Sequence, residues 1–387
     1  MVWMFVFMLL PLAALVYIGW HVWCLLPLTW IWKTVGVALL AGSFLLLFAG
    51  VTRRTDGMPM PLATAVYEVG TSSLMVMLYL FMLFLLLDLG RLLHVVPRQW
   101  LWQNGWTAGG IALLMVGLFV YGNLHYRHKY RQELRVESAK VSRPLRLVLL
   151  SDLHIGYHNR RSELHRWVDM INAERPDYVL IAGDIIDGSM RPLKEEQMHE
   201  EFRRLQAPVY ACLGNHEYYS GEPEAQRFYQ QAGIRLLQDE SVVLDGGLCV
   251  IGRDDRTNQH RKSLGRIMKE ASEKYDTITP HSSLHTPHSS LHTPHYSILL
   301  DHQPYHLEQA EQQRVDFQFS GHTHHGQVWP VSWITESIYE CAFGEHRRGS
   351  TRYYVSSGMG IWGGKFRIGT RSEYVVLDIV PSLSSAI

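Results

Sequence analysis

Long uninterrupted apolar runs fill the first third of the chain; beyond it the apolar runs are short and separated by amphipathic stretches. Met1 to Trp32 carries no charged side chain, and neither do Thr34 to Thr52, Val69 to Leu87 or Gln99 to Tyr126. A helix needs roughly 20 mostly apolar residues to cross a bilayer. The pattern therefore predicts four spans, near 3–26, 34–51, 69–88 and 104–124. Pro11 and Pro27 leave the limits of the first span the least sharply drawn. A cleaved signal peptide fits that run poorly, because no basic stretch precedes it and it is too long. Trp20, Trp23, Trp30, Trp32, Trp100, Trp102 and Trp106 cluster near the expected span ends, as interfacial tryptophans do.

From Leu145 onward the period changes. Leu145–Leu150, Tyr178–Ile181, Val209–Leu213, Leu248–Ile251, Ser297–Leu300 and Phe317–Phe319 read as strands, with Tyr353–Val355 and Tyr374–Ile379 added late. Ser162–Ala173, Leu193–Gln206 and Glu222–Gln231 read as helices between them. Such alternation predicts a layered α/β domain. The expected organisation is a helical membrane region over 1–126, a basic linker over 127–144 and a soluble domain over 145–387. Within that domain His281–Pro287 (HSSLHTP) is repeated letter for letter by His288–Pro294. A proline every seven residues excludes a heptad coiled coil, and two copies are too few for a solenoid. A metal-collecting tract is one reading of 281–295; a tandem-duplicated insertion is the one we adopt.

Charge changes the picture in two ways. The chain has 387 residues with 36 basic and 36 acidic side chains, so no global charge argues for nucleic-acid binding. Only Lys33, Arg53, Arg54, Asp56, Glu68, Asp88, Arg91 and Arg98 precede residue 127. With four spans, the 51–68 loop and everything after 126 share a side. That side carries Arg53, Arg54, Arg127, Lys129, Arg131, Arg135, Lys140, Arg143 and Arg146, against Lys33, Arg91 and Arg98 opposite. The imbalance predicts a multi-pass protein of the inner membrane with its catalytic domain in the cytoplasm. Cys24, Cys212, Cys249 and Cys341 lie far apart with no C-x-x-C pair, which argues against a zinc ribbon and a disulfide scaffold.

The candidate chemistry sits at five predicted strand ends. Ser151-Asp152-Leu153-His154 follows the first strand and Gly183-Asp184-Ile185-Ile186-Asp187 the second. Gly214-Asn215-His216-Glu217, Asp301-His302-Gln303-Pro304 and Gly321-His322-Thr323-His324 follow the others. In extended chain residues i and i+2 point the same way, so Asp152 with His154, and His322 with His324, are expected to converge. Glycines at 183, 214 and 321 allow sharp turns and close approach to an ion. Carboxylates, imidazoles and an amide oxygen form a mixed O/N donor set suited to manganese, iron or zinc. Seven such groups suit two ions, the usual device for in-line displacement at phosphorus.

This motif order resembles that of the calcineurin-like metallophosphoesterases, D-x-H, G-D-x-x-D/E, G-N-H-D/E, H, G-H-x-H, over about residues 145–380. The resemblance implies a β-sandwich flanked by helices, with metals at the strand ends. It implies that Asp152, His154, Asp184 and His324 hold a first ion, and that Asp184, Asn215, His302 and His322 hold a second. It gives His216 contact with the phosphate and assistance to the leaving group, Glu217 the task of orienting His216, and Asp187 support behind a ligand. His158 and His325 are expected at the rim. Asp301–Pro304, Ser320–Pro330, Ser356–Gly360, Arg367 and Glu373 look like the membrane-anchored branch, some of whose members cleave UDP-2,3-diacylglucosamine in lipid A synthesis. The expected cofactors are two divalent ions, manganese first among them. The expected partners are the bilayer and a lipid-linked phosphate, since a freely diffusing substrate needs no tether. The alternatives are a broad phosphodiesterase on soluble or other lipid phosphates, and a non-catalytic membrane sensor or scaffold keeping a vestigial site.

Overall fold

The computed structural model describes residues 2–278 and 295–382. The HSSLHTP repeat, residues 281–294, lies outside the described residues. The chain divides into two compact units, Met1–His125 with Gly363–Phe366, and Tyr126–Trp362 with Arg367–Ile387.

The first unit holds four long helices: α1 (Val2–Leu25), α2 (Trp30–Val51), α3 (Met60–Leu92) and α4 (Gly105–Arg127). By length and composition α2, α3 and α4 are able to cross a membrane. The apolar part of α1 whose side chains are described, Leu10–Leu25, is shorter than a span. Among the described residues, three of the four expected spans are thus long and apolar enough to cross a membrane. Helix α3 is far longer than the expected 69–88. Pro61 sits in its first turn, where a missing N–H costs nothing, and Glu68 does not interrupt it. Helices α2 and α3 approach closely at Gly70, where a Cβ would lie 2.5 Å from the Leu47 amide nitrogen. Asp88, an acid inside an apolar helix, accepts from Tyr17 at 2.8 Å and lies 3.0 Å from His21 Nε2.

The second unit is built on twelve strands among the described residues: β1 (Lys129–Ser138), β2 (Leu145–Leu150), β3 (Tyr178–Ala182), β4 (Val209–Cys212), β5 (Ile234–Leu236), β6 (Glu240–Leu244), β7 (Leu248–Gly252), β8 (Tyr296–Leu300), β9 (Phe317–Ser320), β10 (Gly344–Arg348), β11 (Thr351–Val355) and β12 (Ser372–Pro381). They form two six-stranded mixed sheets, in the orders β1-β12-β2-β3-β4-β5 and β10-β11-β9-β8-β7-β6. Its helices are α5 (Arg161–Ala173), α6 (Arg191–Glu195), α7 (His199–Phe202), α8 (Asn215–Ser220), α9 (Glu222–Ala232), α10 (Leu264–Ile278), α11 (Glu308–Gln312) and α12 (Val331–Ile338).

The two-residue period of the strands explains the layers. On β2, Leu145, Leu147 and Leu149 face the second sheet, where they share a core with Val250, Ile298, Leu300 and Phe319. Val148 and Leu150 face the other way, onto Trp167, Val168 and Ile171 of α5 and Phe228 of α9. The outer face of the second sheet is covered by Leu264, Ile267 and Met268 of α10, with Leu307 and Ala310 at α11. The result is the expected β-sandwich flanked by helices.

Two expectations about local structure fail. The segment 127–144 is no linker, because Lys129–Ser138 pairs in parallel with β12 along its whole length. Its basic residues mask an alternation in which Leu134 and Val136 turn inward. The helix expected over 193–206 is two short ones, α6 and α7, separated at Gln197, whose φ of 50° no helix accommodates. All four cysteines are buried free thiols.

Candidate metal centre

Strands β2, β3 and β4 run parallel in one sheet, and β7, β8 and β9 run parallel in the other. The loops after β2, β3, β4, β8 and β9 therefore emerge at the same kind of strand end, and all five clusters meet there. Cross-sheet hydrogen bonds lock them: His302 Nδ1 lies 2.7 Å from the Ala182 carbonyl, and the His322 amide donates to both oxygens of Asp152 at 3.0 and 3.1 Å.

Three overlapping groups of side chains bring their donor atoms within 4.8 Å of one another: Asp152/His154/His324, His154/Asp184/His216 and Asp184/His302/His322. His154 Nε2 and His324 Nε2 face each other at 3.0 Å, and Asp152 Oδ1 lies 3.8 and 3.4 Å from them. His302 Nε2 lies 3.1 Å from Asp184 Oδ2 and 3.2 Å from Asn215 Oδ1. The same Asp184 oxygen lies 3.7 Å from His154 Nε2, so one atom joins the two groups. Asp152, His154 and His302 are wholly buried.

The convergence has a different origin from the one expected. Asp152 and His154 are not in extended chain; their φ values are +54° and +44°. Asp184, His322 and His324 are also left-handed, at +51°, +70° and +48°. Five non-glycine residues of one site in this region is backbone strain gathered where the side chains must be aimed. The glycines serve close approach. A Cβ on Gly214 would lie 2.2 Å from Asp184 Oδ1, and one on Gly321 would lie 2.2 Å from Asp152 Oδ2.

Burial by itself would raise the carboxylate pKa values. Neighbouring histidines outweigh it, His324 chiefly holding Asp152 below its usual range and His302 holding Asp184 well below. Burial would likewise lower His154, but its bonds to Asp152 and Asp187 lift it to about 10, and Asp184 lifts His302 well above the usual imidazole range. Burial prevails at His324, pushed well down, and at His322, pushed to about 4 with help from His302. Paired ring nitrogens and carboxylate oxygens, aimed at common points in a buried cradle, are what divalent cations satisfy. The residues present fit a metal centre.

Behind these side chains the structure corrects two readings, those of Glu217 and His158. Glu217 does not orient His216; its oxygens accept from the backbone amides of Gly214, Asp184 and Ile186 at 2.7, 3.1 and 3.0 Å. Burial, then the charge of Asp184, raises it to about 7. Instead His216 Nδ1 meets the backbone carbonyl of Asp187, and its amide donates to Asp184 Oδ1 at 2.8 Å. The Asp187 carboxylate lies among His154, His158 and His216 at 3.4, 3.7 and 3.7 Å. His158 is not at the rim but buried, with Nε2 2.7 Å from the Ile361 carbonyl. His325 is partly exposed, stacked on Phe343 and 2.9 Å from Glu336.

Two supports lie behind the metal-facing side chains. Arg253 and Arg261 hold the buried Asp301 at 3.2 and 3.3 Å, fixing the base of the His302 loop. The visible sign of this was an arginine directly after the apolar run of β7. Arg367 ties the His324 turn to the Ser357–Gly360 loop by donating to carbonyls of both.

A fold of two sheets with such a cluster at the strand ends defines a metal-dependent phosphoesterase architecture, and comparison with known proteins agrees. The calcineurin-like phosphoesterase family model matches residues 145–326. Over 316 residues the chain is 30% identical to the Danio rerio "Transmembrane protein with metallophosphoesterase domain", covering 76% of this chain and 69% of that protein. It is 28% identical over 277 residues to an "Uncharacterized metallophosphoesterase" of Helicobacter pylori strain J99, covering 70% of each. A solved 5'-nucleotidase precursor from Thermus thermophilus is more distant, at 15% identity and a TM-score of 0.38, over 61% of this chain and 54% of that one. The chain belongs to the calcineurin-like metallophosphoesterases.

Proposed function

We propose that the protein is a membrane-anchored phosphoesterase that uses two divalent ions, manganese foremost, to hydrolyse a phosphate ester or pyrophosphate bond of a lipid-borne substrate. The observation that carries this reading is Asp184, whose Oδ2 reaches both His154 and His302 and so links the two donor groups. Asp152, His154, Asp184 and His324 would hold one ion, and Asp184, Asn215, His302 and His322 the other. Bound there, the ions supply Lewis acidity, polarising the phosphoryl oxygens and lowering the pKa of water.

The chain's own residues do the rest. The Asp187 carbonyl accepts a hydrogen bond from His216 Nδ1–H, which leaves Nε2 as the atom able to carry a transferable proton. The His216 side chain is 15% exposed while His154 beside it has no exposure, so His216, like His322 and His324, is open to substrate. It is placed to protonate the departing oxygen. Glu217 and Arg367 keep the loops rigid, as productive geometry requires.

The catalytic unit is assigned to the cytoplasm from Lys/Arg asymmetry. The 51–68 loop and the chain after 127 flank the α3–α4 pair, so they share a side whether or not α1 crosses the bilayer. The tether favours a substrate met at the membrane surface. UDP-2,3-diacylglucosamine, giving UMP and the lipid monophosphate, heads the candidates, on family resemblance. A soluble phosphodiester is the runner-up. Turnover of full-length protein on UDP-2,3-diacylglucosamine, a polyprenyl pyrophosphate and soluble nucleotide diesters tests the choice. At least one lipid is expected to be preferred; equal turnover of soluble diesters overturns the lipid reading.

A further inference from the structure

Helix α12 turns its apolar face to solvent. Among the described residues of the catalytic unit, the exposed large apolar and aromatic side chains are Tyr219, Val243, Trp329, Trp333, Ile334 and Ile338. The last four lie within a single ten-residue segment and are 40 to 61% exposed. Inside α12 the buried residue is Ser332. Trp333, Ile334 and Ile338 thus face solvent beside the exposed Glu336 and Ser337, where an ordinary surface helix buries its apolar residues.

The segment is firmly built onto the metal centre. A Cβ on Gly326 would lie 2.3 Å from the Ser332 amide nitrogen, so the turn carrying His324 packs directly against the start of α12. His325 Nε2 lies 2.9 Å from Glu336 of α12. The Trp329 amide donates to the Ile368 carbonyl at 2.7 Å, and the Trp329 and Trp333 rings meet edge to face at 5.3 Å. An ordered face of this kind marks a binding surface.

The chain itself indicates the occupant. Among its described residues are three helices long and apolar enough to cross a membrane, so a lipid surface is tethered to every copy. Tryptophan and isoleucine on one side of a helix are the side chains that settle at the boundary of headgroups and acyl chains. We propose that the Trp329–Ile338 face is seated in the bilayer surface, setting the His324 turn at the level of lipid phosphates. The seating stands independently of the substrate; its use in catalysis rests on the lipid-substrate reading above.

The test is full-length protein carrying Ile334→Cys, or Trp333→Cys as a second site, labelled with a nitrobenzoxadiazole dye in phosphatidylcholine/phosphatidylglycerol nanodiscs. The four native cysteines are buried, which favours labelling at the new site. Blue-shifted emission quenched by lipids with doxyl groups on the upper acyl chain is expected. Emission typical of water overturns the proposal. So does a shielded dye that doxyl lipids fail to quench, which would mean that protein covers the face. In parallel, combined Trp333→Ala, Ile334→Ser and Ile338→Ser is expected to lower turnover of a lipid-borne phosphate about tenfold, roughly the effect of 1.4 kcal/mol. Hydrolysis of bis(p-nitrophenyl) phosphate should be unchanged. A seated dye with no such difference would keep the surface and sink the lipid-substrate reading.

Discussion

Arg367 Nη1 donates to the backbone carbonyl of His324 at 2.6 Å, from a side chain with no solvent exposure. Its other nitrogens reach the carbonyls of Ser357 and, at 3.2 Å, Gly360, and the Ser372 hydroxyl at 3.1 Å. Burial lowers its pKa to about 10, so it stays cationic at neutral pH. A buried charge is costly, and here it clasps the two loops between which Asp152 and His324 are held. Gly360 completes the clasp by donating its amide to the Asp152 carbonyl at 2.9 Å.

Arg367→Lys keeps the charge but loses the planar fork. We expect metal affinity to fall roughly 10–100-fold, the usual cost of losing support behind a ligand. Metal titration of the full chain checks this, with the melting temperature as a control. An unchanged metal affinity would show that the fork is dispensable.

Gly214→Ala is expected to abolish most hydrolysis and to destabilise the protein by about 1–3 kcal/mol, the ordinary cost of overpacking. Its Cβ would collide with both the Asp184 carboxylate and the Asp184 amide. Gly188→Ala is the matched control, because a Cβ there meets nothing within 4 Å. Turnover and thermal denaturation of the pair check the prediction. Equal behaviour of the two variants would contradict the close-approach argument.

The central strands and the five site clusters were legible because both signals are local. A continuous apolar run such as Leu145–Leu150 reads as a strand, and a donor pair at its end reads as a site. Three things were hidden. The basic residues of β1 outvoted the inward Leu134 and Val136, and the strand's partner, β12, lies more than 200 residues away. The left-handed backbone at Asp152, His154 and Asp184 is invisible in residue type, since only neighbouring chain enforces it. The support given by Glu217 and Arg367 depends on backbone carbonyls and amides, which every sequence has and none displays.

Acid stability should depend on Glu201, whose carboxylate receives Arg161 and Arg204 at 2.8 and 2.7 Å. Burial would raise its pKa, but these arginines and His165 hold it at about 2. A folded-state pKa below the unfolded one, roughly 4.3, contributes stability above that value and loses it as pH falls toward 2. Both arginines are about a third exposed, which weakens the pair. Glu201→Gln is therefore expected to cost about 2 kcal/mol at pH 7, with the gap to wild type closing between about pH 5 and pH 2. Denaturant melts of both proteins in detergent check it, and a gap independent of pH would contradict it.

A reporter fused after Ile387 should be active only if it works in the cytoplasm. Activity of a periplasm-dependent reporter at that position would reverse the assigned orientation and remove any cytoplasmic substrate.

Asp184→Asn tests the two-ion phosphoesterase most directly. The substitution keeps the size of the side chain and an oxygen for the His216 amide, yet removes the charge shared between His154 and His302. Metal content and Mn²⁺-dependent hydrolysis of bis(p-nitrophenyl) phosphate are measured on the full-length protein and the variant together. A dinuclear centre predicts two ions per wild-type chain, fewer in the variant, and no variant turnover despite a native melting profile. Near-wild-type turnover from the folded variant would contradict it.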